Sequence, residues 1–112
     1  MKRVLNDAAL RQENALHGGT GGCSQRNAGL GFRPAFFDFA THAIHLSRFA
    51  NGRPAPFHLL EGLPDEAVAI RSAAGRVIAA KPTIVSGFER NGYFYTRSAA
   101  ARAVRDWVSL AA

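Results

Sequence analysis

Cysteine, lysine and long apolar runs are scarce in this chain, and each scarcity excludes a class of protein. Cys23 is the only cysteine among 112 residues, which excludes an intramolecular disulfide framework and leads us to expect a reducing, cytoplasmic setting. No segment reaches the roughly 18 consecutive apolar residues that a membrane span requires, so we expect no membrane partner. The basic start of the chain lacks the apolar stretch of a secretory signal.

The remaining composition, 47% hydrophobic and 20% charged residues, is ordinary for a globular protein. A chain of this length forms one domain with a real core. We predict an α+β domain over residues 29–112, preceded by a helical arm and a glycine-rich linker over residues 1–28.

The arm is predicted from good helix formers over residues 2–16, which carry only a thin apolar stripe. The run Gly18-Gly-Thr-Gly-Gly22 is a flexible linker by composition. Because a thin stripe packs weakly, we expect this arm to be mobile and to become ordered on a partner.

From Gly29 onward the pattern favours a small antiparallel β-meander of about five or six strands. The predicted strands lie within residues 32–39, 42–48, 57–61, 67–71, 76–80 and 83–96. A C-terminal helix follows, with Thr96 or Ser98 as its N-cap and an apolar stripe that includes Val104, Trp107 and Val108.

The dipeptide Asn91-Gly92 favours a two-residue type I′ hairpin turn. Such a turn pairs Arg90 with Tyr93 and residue 88 with residue 95, and it places these four side chains on one face. Aromatic side chains beside an arginine resemble a platform on which nucleic-acid bases stack. The alternative is that residues 88 and 95 form a core pair and that Arg90 makes only a surface cation–π contact.

The net charge of +6 is concentrated toward the two ends of the chain. A basic balance favours a polyanion partner, although twelve arginines against two lysines and abundant alanine also fit a GC-rich coding sequence. Our first functional hypothesis is therefore a non-enzymatic module that contacts nucleic acid or a nucleoprotein complex. Its candidate residues are Arg90, Tyr93, Tyr95, Arg97, Arg102 and Arg105.

A protein–protein interaction module is the second hypothesis. In the run Phe36-Phe-Asp-Phe39, neighbouring side chains face opposite ways, so one of these phenylalanines points outward unless it is covered, and Phe37 and Phe39 are the candidate residues for binding a partner protein. An exposed sheet edge and the thin stripe of the arm also favour a homodimer.

Metal binding and catalysis are weakly indicated. His17, Cys23, His42, His45 and His58 include no Cys-x-x-Cys pair, and no cofactor motif is present, so we predict no metal and no cofactor. An enzyme with Cys23 as its nucleophile is the third and weakest hypothesis, because a lone cysteine with histidines elsewhere is not a specific signal.

Two stretches carry a family resemblance. Residues 31–56, which include Gly31-Phe-Arg-Pro-Ala-Phe-Phe-Asp38, and Val85-Ser-Gly-Phe-Glu-Arg-Asn-Gly-Tyr-Phe-Tyr-Thr-Arg97 resemble a group of small uncharacterised proteins of proteobacterial genomic islands and prophages. The resemblance covers about residues 29–100. It implies mobile-element biology, such as DNA maintenance or inhibition of a host defence complex, and it implies no catalytic residues.

Overall fold

Within residues 4–111, which this computed structural model describes, three α-helices and six antiparallel strands form the predicted α+β architecture. Two short 3-10 turns, Ala28–Leu30 and Asp65–Ala67, precede β1 and β3. The elements in chain order are α1 (Asp7–Leu16), α2 (Ser24–Asn27), β1 (Arg33–Asp38), β2 (Ala43–Leu46), β3 (Val68–Arg71), β4 (Val77–Ala80), β5 (Ile84–Arg90), β6 (Tyr93–Thr96) and α3 (Arg97–Ala111).

The strands form a four-stranded sheet in the order β2-β1-β5-β6 and a separate β3–β4 hairpin. Consecutive strands pair within each hairpin, as predicted. The two hairpins of the larger sheet are joined by β1 and β5, whose register runs from Arg33 opposite Glu89 to Asp38 opposite Ile84. This central pairing connects strands that lie about fifty residues apart in the chain, so no local turn specifies it.

Alternation along the strands gives the four-stranded sheet two different faces. The face on which the two core clusters lie, here the inner face, carries Phe36, Ile84, Ser86, Phe88 and Tyr95. The opposite side, here the outer face, carries Phe37, Ile44, Leu46, Val85 and Phe94, all of them half-buried.

The inner face is covered by two apolar clusters. One joins Phe36 and Ile84 to α1, to the β3–β4 hairpin and to the loop around Leu60. The other joins Phe32 and Phe88 to α3 through Ala100, with Tyr95 and Trp107 packed against it. Helices and loops therefore lie on one side of the sheet.

The predicted arm packs against the domain in its described part. Leu5, Ala9 and Leu10 are buried in the first cluster, and the backbone N–H of Ala80 donates to the carbonyl of Leu5 at 3.0 Å. Leu10 is buried, so the apolar stripe of α1 is wider than the sequence predicted. Leu16, at the end of the helix, is exposed. Residues 1–3 of the predicted arm lie outside the described part.

Two further predictions differ from the structure. Residues 57–61 do not form a strand, because the side-chain hydroxyl of Ser47 accepts from the backbone N–H of Leu59 at 2.8 Å and takes the place of a partner strand. Val108, which the predicted apolar stripe of α3 turns inward, is 61% exposed, and Ile70 and Ile78, whose apolar character favours the core, are also about half exposed because they lie on the solvent side of the β3–β4 hairpin.

The predicted hairpin is confirmed. Asn91 and Gly92 have φ values of 55° and 87°, as a type I′ turn requires, and Arg90 pairs with Tyr93. The N-cap of α3 is also confirmed, because the hydroxyl of Thr96 accepts from the backbone N–H of Ala99 at 3.0 Å.

Gly87→Ala tests the packing of the outer face. A Cβ at this position would lie 2.2 Å from the carbonyl oxygen of Tyr95 and 2.4 Å from the Phe94 ring, so β6 must shift. We expect urea unfolding to show a loss of about 1–3 kcal/mol, the usual cost of overpacking. Gly29→Ala, where an added Cβ meets nothing within 4 Å, is the control and should change stability little. Equal effects of the two substitutions would contradict this packing.

Candidate functional site

The six residues predicted to bind nucleic acid do not share one surface. Tyr93, Arg102 and Arg105 are exposed, with Tyr93 at 72%. Arg90 and Tyr95 are partly buried, and Arg97 is only 4% exposed. Three of these six residues are therefore partly or wholly buried in the fold.

Arg90 and Tyr95 belong to the aromatic cluster beneath α3. The guanidinium carbon of Arg90 lies 4.6 Å from the centre of the Trp107 ring, and its Nε donates to the carbonyl of Leu30 at 2.9 Å. The ring of Tyr95 packs edge-on against Phe32 at 5.0 Å. This arrangement matches the alternative in which residues 88 and 95 form a core pair. The ring beneath Arg90 is that of Trp107, not that of Tyr93.

The guanidinium of Arg97 joins four separate parts of the chain. It donates to the Ser86 hydroxyl at 3.1 Å, to the Gly22 carbonyl at 3.1 Å and to Nδ1 of His58 at 3.0 Å. It also forms an ion pair of 3.2 Å with Glu13, whose carboxylate accepts a hydrogen bond from Ser86. Because a buried charge is costly without such partners, this network holds α1, the linker and α3 against the sheet.

His58 is fixed in one tautomer by the same network. Arginine can only donate, so Nδ1 of His58 is the acceptor and Nε2–H donates to the Gly87 carbonyl at 2.6 Å. Burial, followed by the charge of Arg97, lowers the pKa of His58 to about 4. The imidazole is therefore neutral at pH 7.

This polar network supports a structural role better than a catalytic one. The side chains of Arg97 and His58 are 4% and 6% exposed, so a substrate cannot reach them without unfolding of the surrounding elements. Cys23, the candidate nucleophile, is half-buried beside them. No group of three or more His, Cys, Asp or Glu side chains is placed to hold a metal ion within the part of the chain described here.

A different set of aromatic side chains is accessible on the outer face. The Phe37 ring is stacked between Phe94, at 5.2 Å and 25°, and His42, at 6.1 Å and 11°. Phe39 meets the edge of Phe37 at 5.4 Å and is 58% exposed. We call these four residues the aromatic ladder.

The turn between β1 and β2 positions two members of the ladder. The carboxylate of Asp38 accepts from the backbone N–H of Ala40 at 2.8 Å, and its carbonyl accepts from the N–H of His42 at 2.7 Å. Hydrogen bonds from the Thr83 hydroxyl and from Ala40 lower the pKa of Asp38, so the carboxylate stays ionised and holds the turn. His42 takes a left-handed conformation, with φ of 61°, that brings its ring over Phe37.

The larger apolar side chains of the outer face are half-buried and lie outside the two core clusters. Neither apolar cluster contains Phe37, Ile44, Val85 or Phe94. Sequence reasoning identified Phe37 and Phe39 as outward candidates but did not group His42 or Phe94 with them, and the apolar character of Ile44, Val85 and Phe94 favours the core. The hairpin register held the signal for Phe94, since pairing with Glu89 puts it on the face opposite Phe88.

Comparison of the chain with protein-family models, with curated proteins and with solved structures found no match. Within residues 4–111, none of the helices has both the length and the apolar character needed to cross a membrane. The functional argument therefore depends on the chemistry of the described surfaces.

Arg97→Met tests the central role of the network. It removes the ion-pair partner of Glu13 and the hydrogen-bond donor to the Gly22 carbonyl and to Nδ1 of His58, so we expect a loss of stability of about 3 kcal/mol in urea unfolding. Arg102→Met removes the same charge from the exposed side of α3 and should cost less than about 0.5 kcal/mol. Similar losses in the two variants would contradict the assignment.

His58 predicts a pH dependence of stability. Its pKa is lower in the folded chain than in the unfolded one, so the unfolded chain binds the proton more readily between about pH 6.5 and pH 4. The stabilisation is present above pH 6.5 and falls as the pH approaches 4, by roughly 3 kcal/mol at most.

Urea unfolding between pH 7.5 and pH 5 measures this slope. His58→Gln should flatten it, whereas His42→Gln, at an exposed turn, should keep it. Should His58→Gln fail to fold, an NMR titration of wild type serves instead, with the His58 ring signals constant down to about pH 5. A protonation midpoint of His58 near pH 6.5 would contradict the buried, neutral state.

Proposed function

We propose that this protein is a non-enzymatic protein-interaction module that binds its partner through the outer face. The observation that carries the proposal is the aromatic ladder, which lies on the sheet face away from both core clusters. Single exposed apolar residues are normal on protein surfaces, but a contiguous group on one sheet face marks an interaction site.

The chemistry of the face supports a protein partner. It combines phenylalanines with the aliphatic side chains of Ile44, Leu46 and Val85, and the carboxylate of Glu89 is neutralised by Arg33 at 2.8 Å. The buried centres of protein interfaces are enriched in aromatic side chains and depleted of charge. Rigid aromatic anchors are also the residues that contribute most binding energy.

Nucleic-acid binding is less well supported. A base-stacking platform needs cations beside accessible rings, and Arg90 and Arg97 are used internally. Arg102 and Arg105 remain exposed on α3, which packs on the inner side of the sheet, opposite the aromatic ladder.

Site-specific photo-crosslinking tests the proposal in cells that make this protein. A benzophenone amino acid at position 39 should form a nuclease-resistant crosslink to a discrete protein. The same probe at position 108, an exposed apolar position on α3, should not. With the captured partner purified, Ile44→Lys should weaken binding at least tenfold, and affinity should change less than tenfold between 50 and 200 mM salt, unlike phosphate-dominated binding.

Three results would contradict the proposal. They are the absence of a protein crosslink at position 39, equal crosslinking at positions 39 and 108, and a nuclease-sensitive product. The last result, together with a loss of binding in an Arg102→Ser/Arg105→Ser variant, would assign the protein to nucleic acid instead.

A further inference from the structure

We propose that Asn91 is a latent deamidation site and that the carboxylate of Glu89 restrains the reaction. In this modification the side-chain amide of an asparagine leaves as ammonia, and an aspartyl or isoaspartyl residue remains. The inference goes beyond the proposed function and does not depend on it. It follows from the hydrogen bonds at the tip of the β5–β6 hairpin.

The reaction needs water as its only co-reactant. The backbone nitrogen of Gly92 loses its proton to solvent and attacks the side-chain Cγ of Asn91. The bond from Cγ to the amide nitrogen breaks, that nitrogen takes up a proton and leaves as ammonia, and a five-membered succinimide ring remains. Water then opens the ring at either carbonyl, which gives aspartate or isoaspartate. Glycine has no Cβ beside the attacking nitrogen, so an Asn-Gly step is open to this attack.

The sequence contains two such steps, residues 51–52 and 91–92, and both are exposed. In the first step, the backbone N–H of Arg53 donates to the asparagine Oδ1 at 3.0 Å, and the glycine N–H donates to the carbonyl of Phe49 at 2.9 Å. Both reacting groups are therefore engaged within their own loop. The first step is an internal reference that a substitution in the β5–β6 hairpin should not affect.

In the second step, a side chain holds the attacking nitrogen. The backbone N–H of Gly92 donates to Oε2 of Glu89 at 2.9 Å. The other carboxylate oxygen, Oε1, accepts from Nε of Arg33 at 2.8 Å, so the carboxylate is fixed from both sides. Attack on Asn91 requires the nitrogen to give up its hydrogen bond, and a charged acceptor makes that loss more costly than a neutral one does.

The charge of Glu89 is a second restraint on the same nitrogen. The nitrogen attacks as an anion, and a neighbouring negative charge disfavours the formation of that anion. Burial raises the pKa of Glu89, but hydrogen bonds from Gly92 and Arg33 outweigh it, and the pKa is lowered overall. The carboxylate is therefore ionised at the neutral and alkaline pH values at which the nitrogen can lose its proton.

The product of the reaction does not fit the turn. Asn91 has a φ of 55°, in the left-handed region that asparagine adopts more readily than most residues. Isoaspartate adds one carbon to the backbone between residues 91 and 92, so a two-residue turn can no longer pair Arg90 with Tyr93. Deamidation at this position therefore loosens β6, the strand that carries Phe94 of the aromatic ladder.

Peptide mapping by mass spectrometry, after incubation of the intact protein in mildly alkaline buffer, measures the deamidation rates at Asn51 and Asn91 in one sample. Glu89→Ala should accelerate the reaction at Asn91 about tenfold, the effect of one hydrogen bond to a charged acceptor, and leave Asn51 unchanged. Arg33→Ala is the matched control. It removes the same exposed ion pair but keeps the acceptor of the Gly92 N–H, so it should change the rate at Asn91 by less than about threefold.

Three results would refute the proposal. They are an unchanged rate at Asn91 in Glu89→Ala, equal acceleration in Glu89→Ala and Arg33→Ala, and a parallel rise at Asn51, since the last two would assign the effect to general loosening of the fold. Should Glu89→Ala fail to fold, Glu89→Gln replaces it, because it removes the charge and keeps the shape of the side chain. It should raise the rate at Asn91 relative to Asn51 by about threefold, and an unchanged ratio would refute the role of Glu89.

Discussion

The buried guanidinium of Arg97 is the interaction on which the rest of the structure depends. A charge that is 4% exposed is tolerated only because Glu13, Gly22, Ser86 and His58 surround it with acceptors. Those partners come from α1, the glycine-rich linker, β5 and the loop between β2 and β3. Burial lowers the pKa of Arg97, and the charge of Glu13 opposes this effect. One side chain thereby fixes the elements that close the inner face.

The Arg97 network is one reason why the two faces of the sheet differ. The inner face is covered by helices and loops that converge on Arg97 and on the Phe32–Phe88 cluster. The outer face receives no such layer, and its largest side chains pack on one another instead. This difference between the faces is the basis of the proposed partner binding, since an antiparallel sheet can pack one face on its core and leave the other toward solvent.

Local chemistry made part of this fold predictable. Asn91-Gly92 fixed the β5–β6 register, and Thr96 marked the start of α3, because turns and caps depend on neighbouring residues. The β1–β5 pairing was not predictable, since it joins distant strands that no turn connects. The burial of Arg97 was also not predictable, because its acceptors are distant in the sequence. An arginine in the first turn of an amphipathic helix is expected to be solvent-exposed when those acceptors are not known.

Only part of the candidate site could be predicted from the sequence. Phe37 and Phe39 stand out in the sequence because neighbouring strand residues cannot all face inward, and the structure places both on the accessible side. The other two members of the aromatic ladder are Phe94, on the β5–β6 hairpin, and His42, in the turn between β1 and β2. His42 has a left-handed backbone conformation, but no glycine marks this position in the sequence. Tertiary pairing, rather than residue type, brings the four rings together.

Hydroxyl-radical footprinting of the purified protein, read by mass spectrometry, would test most directly whether the outer face is open. We predict strong modification of Phe39 and intermediate modification of Phe37 and Phe94. Phe32, Phe36 and Phe88, which are at most 2% exposed, should be protected. Protection of Phe37 and Phe94 as complete as that of Phe36 would mean that the sheet is covered on both sides, and it would contradict an open binding face.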